Sequence, residues 1–186
     1  MQGSEQNIFL IGPMGSGKTT IGRLVARELD LGFHDCDQEL EKITGASVNL
    51  IFDVEGEAGF RERESRMLRE LCTHKGILLS TGGGVVIRKR NRKLLKSNGW
   101  VIWLQTTVEQ QIARLSHDKS RPLLQTPNRA SVLRKLARER DPLYRECADL
   151  VFISPDRNSK VAASALSMLI VDHWRAGTAG ESLAHR

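Results

Sequence analysis

Apolar residues fall into five short runs along the chain: "NIFLIG" at 7–12, "GFHDC" at 32–36, "GILLS" at 76–80, "WVIWLQ" at 100–105 and "DLVFIS" at 149–154. Each is bounded by turn residues and has the length of a strand buried on both faces. Between them the apolar spacing changes to three and four. Ile21, Leu24, Val25 and Leu29 line one side of a helix over 18–29, and further helical stretches occupy 57–73, 88–97, 107–115, 129–140 and 158–174. Strand alternating with helix predicts an α/β fold of three layers, a five-stranded parallel sheet flanked by helices and joined by right-handed crossovers. In such sheets ligands collect beyond the carboxyl ends of the strands. The loops starting near Gly12, Asp35, Thr81, Gln105 and Ser154 are therefore expected to share one rim.

The loop after the first run carries the clearest chemistry. "GPMGSGKTT" at 12–20 has the P-loop spacing Gly12-x4-Gly17-Lys18-Thr19, in the setting the motif requires, a strand before it and a helix after it. Its glycines let successive backbone N–H groups turn toward phosphate oxygens, and the helix N-terminus adds partial positive charge. Gly15, Ser16, Gly17, Lys18, Thr19 and Thr20 are thus the candidate ATP-phosphate residues. Lys18 is expected to reach the β- and γ-phosphates, and the Thr19 hydroxyl to ligate Mg²⁺.

Composition narrows the partner. With 28 basic against 22 acidic residues the chain carries a formal net charge of +6, which favours anionic ligands. A single Tyr and no aromatic–basic interleaving set nucleic acid aside. The densest basic run, "RKRNRKLLK" at 88–96, is expected to be a solvated helix face with Leu94 and Leu95 packed inward. Three distant cysteines, Cys36, Cys72 and Cys147, indicate neither a disulfide framework nor a metal site and suit a reducing cytoplasm. No apolar run reaches membrane-spanning length and no histidine spacing suggests metal ligation. The length of 186 residues suits one domain, expected over 1–174, with a disordered tail over 175–186.

Phosphoryl transfer also needs a carboxylate near the metal. Asp53 in "NLIFDVEG" would serve if Asp53-x-x-Gly56 were a GTPase switch, but the chain has no NKxD to read guanine, and the stretch reads as well as a short helix with Val48, Ile51 and Phe52 on one face. "HDCD" at 34–37 supplies two acids. As strand residues Asp35 and Asp37 would point to the same side, one toward the metal and one toward a substrate hydroxyl; alternatively the pair is a helix N-cap. Gly82, Gly83 and Gly84 follow the third strand on the same rim, where missing side chains permit close approach of a ligand.

Taken together, "GPMGSGKTTIGR" (12–23), "FHDCDQELEKITG" (33–45), "IFDVEGEAGFRERE" (51–64), "STGGGVV" (80–86), "SRPLL" (120–124) and "RERDPLY" (138–144) resemble the shikimate kinase family over roughly 7–172. The resemblance implies a nucleoside-monophosphate-kinase-like P-loop fold and transfer of the γ-phosphoryl of ATP to the 3-hydroxyl of shikimate by a monomeric, cytoplasmic, Mg²⁺-dependent enzyme of aromatic amino-acid biosynthesis. Carried over residue by residue, it implies that Asp37 holds the ring hydroxyls and acts as base, and that Asp35 orders Mg²⁺ through water. Arg61 and Arg140 would clamp the carboxylate, with Gly82 and Gly83 beside them in the substrate site. It also implies a substrate-binding region over about 36–64 and a lid over 115–128, in which Arg121 stabilises the transferring group. Arg114 and Arg157 would lie beside the adenine. Another small-molecule kinase of the same fold, such as a gluconate kinase, is the alternative.

Overall fold

The computed structural model describes residues 6–116, 122–153 and 158–184. Strands β1 (Asn7–Ile11), β2 (Gly32–Asp35), β3 (Ile77–Ser80), β4 (Gly99–Gln105) and β5 (Leu150–Ile153) form one parallel sheet in the order β2-β3-β1-β4-β5. The glycine-rich loop leaves the central strand β1, and the chain reverses its sheet order on either side of it, which opens a crevice at that rim. Expectation and observation agree on all five strands.

Burial on both faces follows the period of two. Ile8 and Leu10, with Leu78, Ile102 and Leu104, pack against α1 (Lys18–Glu28) and α7 (Ser159–Ala184). Phe9 and Ile11, with Leu79, Val101 and Trp103, face the other way, onto α3 (Val48–Leu71), α4 (Lys89–Asn98) and α6 (Arg129–Cys147). A smaller cluster of Leu115, Leu124 and Leu133 ties α5 (Val108–Leu115) to α6 and touches Met14 of the phosphate loop. The rim is thus supported from beneath by three separate apolar contacts.

Four elements depart from expectation. Helix α2 (Cys36–Thr44) begins immediately after β2, so Asp37 is helical and the strand geometry expected for the pair is wrong. Asp35 is the N-cap: its Oδ1 accepts from the Asp37 and Gln38 amides at 3.1 and 3.3 Å. The stretch 48–56 and the helix expected over 57–73 form one element, α3, broken at Gly56 (φ 68°, ψ 179°). Helix α6 continues through Pro142 to Cys147, because burying Tyr144 and Cys147 outweighs the donor that Pro142 lacks. Helix α7 runs on to Ala184, past the 174 at which periodicity ended it. No helix among the described residues is long and apolar enough to cross a membrane.

Candidate functional site

A cavity of about 590 Å³ opens at the carboxyl rim of the sheet, walled by the phosphate loop, the start of α2, α3, the glycine loop after β3 and α6. In the phosphate loop the chain turns at Gly15 and Gly17, both with positive φ, and enters α1 at Lys18. Lys18 is buried and donates to the Gly12 and Pro13 carbonyls, each at 2.8 Å, and to Ser16 Oγ at 3.4 Å. Its ammonium therefore braces the loop at the positive end of the helix. Thr19 and Thr20 line the cavity, while Ser16 is buried under the loop. Arg114 stands outside the cavity and donates to the Gly15 carbonyl at 2.9 Å.

Thr19 joins the loop to β2, its hydroxyl donating to Asp35 Oδ2 at 2.7 Å. Asp35 thus caps α2 with one oxygen and meets the phosphate-loop threonine with the other. A hydroxyl and a carboxylate are hard oxygen donors, and so small a protein donor set suits Mg²⁺, which keeps waters and phosphate oxygens as its remaining ligands. No group of three or more His, Cys, Asp or Glu side chains forms a metal cage among the described residues.

Asp37, Arg61, Arg140, Gly82 and Gly83 all line the same cavity. Arg61 is almost fully buried. It donates through Nη1 to Glu64 at 2.9 Å and through Nε and Nη2 to Glu57 at 3.3 and 3.2 Å, with its guanidinium over the Phe60 ring. Its flat face occupies the space beside Gly84, where a Cβ would fall 2.2 Å from Arg61 Cζ. Arg140 is 6% exposed and enters from α6. Arg121 and Arg157 lie outside the described residues, as does part of the expected lid, of which Leu123 lines the cavity.

Three features were missed at the sequence level. Glu64, buried and one turn from Arg61, has Oε1 without a hydrogen-bond partner; a Cβ on Gly82 would stand 2.4 Å from that oxygen and 3.4 Å from Asp37 Oδ1. Burial pushes its carboxyl above the usual range; the Arg61 and Arg140 charges oppose this and that of Asp37 adds to it. The i,i+3 spacing from Arg61 was the available signal. The run 88–96 is only partly solvated, since Arg88 pairs with Glu62 at 2.8 Å and the buried Asn91 and Arg92 donate to the Val85 and Val86 carbonyls at 3.0 and 2.7 Å. They hold the chain directly after the glycine loop. Phe52 and Phe60 pack ring on ring at a 33° tilt across the Gly56 break and also line the cavity.

Cys36 lies behind the acids and burial raises its thiol pKa well above the ordinary value, with the Asp37 charge adding to the effect. It is a neutral core residue. Asp53 is exposed on α3 and does not line the cavity, which removes the GTPase switch.

The family model for shikimate kinase matches residues 14–170. A shikimate kinase of Pseudomonas paraeruginosa is 52% identical over 160 residues, covering 86% of this chain and 93% of its own length. One from Vibrio cholerae is 48% identical over 169 residues, covering 91% and 97%. The solved structure of shikimate kinase from Acinetobacter baumannii in complex with shikimate superposes with a TM-score of 0.89 at 44% identity, covering 92% of this chain and 96% of that one. With the phosphate loop, the capped acidic pair and the two buried arginines gathered on one cavity, and the match extending over most of the sequence, the chain belongs to the shikimate kinase family.

Proposed function

We propose that this chain transfers the γ-phosphoryl group of ATP to the 3-hydroxyl of shikimate, giving shikimate 3-phosphate and ADP. The observation that supports the reading is the cavity itself, which the phosphate loop, Asp37, Arg61 and Arg140 line together. The acceptor must present an anion and a nucleophilic hydroxyl. Two guanidinium groups suit a carboxylate, and an Asp suits ring hydroxyls.

The phosphates lie on the backbone N–H groups of residues 15–20 at the α1 N-terminus, with Lys18 at the β- and γ-phosphates. Thr19 would hold Mg²⁺ directly and Asp35 through water; the ion supplies positive charge to phosphate oxygens. Asp37 orients the reacting hydroxyl and accepts its proton as the oxygen attacks phosphorus, and the leaving ADP keeps the bond electrons. Arg61, Arg140 and the Gly82–Gly83 backbone fix the other end of the acceptor, so the hydroxyl meets the γ-phosphorus in line. Arg114 borders the nucleotide side, and Arg121 and Arg157 are assigned to it by family resemblance. We assign the enzyme to the cytoplasm as a monomer.

Replacing Asp37 by Asn keeps the shape and removes the base. Asp37→Asn is expected to lower kcat by about 10²–10⁴ while ATP binding persists. Turnover near that of the unaltered protein would contradict the role.

A further inference from the structure

We infer that Tyr144 is a positioning residue for the acceptor site, acting through the Gly83 main chain and Arg140; this rests on the kinase reading above. Tyr144 is fully buried, and its hydroxyl donates to the Gly83 carbonyl. The ring is held by Trp103, with centroids 5.6 Å apart, and Arg145 covers the far partner of that stack. The phenol therefore has little freedom, and the carbonyl it binds has little either.

The consequence runs through the peptide plane. Gly83 lies against the phosphate loop, where a Cβ would stand 3.4 Å from the Met14 amide and 3.5 Å from the Gly12 carbonyl. Because the peptide is planar and trans, turning the Gly83 carbonyl toward Tyr144 turns the Gly84 N–H away from it. Gly84 in turn has the Arg61 guanidinium packed on it. Arg140 stands one helical turn before Tyr144 on the same helix, and its charge opposes the burial that raises the phenol's pKa. One hydroxyl thus anchors the glycine loop on which Arg61 packs, from a helix that also carries Arg140 one turn earlier. A phenylalanine would fill the same volume, so packing alone does not call for the oxygen.

The test is Tyr144→Phe in the full chain, with steady-state kinetics in both substrates and a melting curve. The acceptor KM should rise about tenfold, the worth of one buried hydrogen bond, with the ATP KM changed less than about twofold. A variant that merely folds less well has fewer active molecules and a lower apparent kcat, but its KM values stay put. An unchanged acceptor KM, or equal rises for both substrates, overturns the inference. If the unaltered protein shows no shikimate-dependent ADP release, the kinase reading itself fails, and that is seen before any variant is made.

Discussion

In the proposed reaction Arg61 concentrates the chemistry of the acceptor site in one side chain. Its edges are committed to Glu57 and Glu64 and its face to Phe60, so the guanidinium is held in a single plane. Lysine keeps the charge and loses the fork. Arg61→Lys should raise the acceptor KM at least about tenfold and the ATP KM far less, measured by steady-state kinetics; equal losses for both would contradict the assignment. Glu64 makes a separate prediction through pH. Its carboxyl is raised above the ordinary value of 4.5, so over the interval above that value the folded state holds a proton the unfolded chain has released. Stability is fullest below that interval and falls as pH rises through it. Glu64→Gln removes this dependence, and ligand-free denaturation curves from pH 4 to 8 should decline less steeply with pH than those of the unaltered protein. Parallel curves would show that Glu64 is not raised.

At the scale of elements, the break at Gly56 shapes one wall of the cavity. In a continuous helix Phe52 and Phe60 would be about 12 Å apart along the axis. Their ring centroids are 4.4 Å apart instead, and Arg63 reaches Glu55 across the same break at 2.7 and 2.5 Å. The backbone at Gly56 lies in a region open almost only to glycine, yet nothing stands within 4 Å of a Cβ there. Gly56→Ala therefore tests conformation alone. It should cost about 1–3 kcal/mol in chemical denaturation, whereas a loss under about 0.5 kcal/mol would mean the turn is not strained for alanine. The strands were legible because five buried apolar runs leave few alternatives. The start of helix α2 was read only as the alternative, an N-cap at the acidic pair, because the apolar fragment preceding it made Asp35 and Asp37 look like a continuing strand; Asp35 is that cap. The end of α6 was hidden because Pro142 is a local stop signal that tertiary burial overrides.

For the whole molecule, Lys18, Thr19, Asp35 and Asp37 were read from motif and spacing, whereas Arg61 and Arg140 were assigned only through the family resemblance. Tyr144 was not legible because its partner Gly83 is 61 positions away and is met only once α6 packs on the sheet, and Glu64 offered only its i,i+3 spacing from Arg61. The basic surplus of +6 favours the anionic ligands that such a cavity takes. The most direct test is ADP release from ATP and Mg²⁺ by the purified chain, with shikimate compared against a panel of hydroxy acids that includes gluconate. Release that depends on shikimate and is lost in Asp37→Asn is the predicted result; release driven by gluconate but not shikimate, or undiminished in Asp37→Asn, would contradict the account.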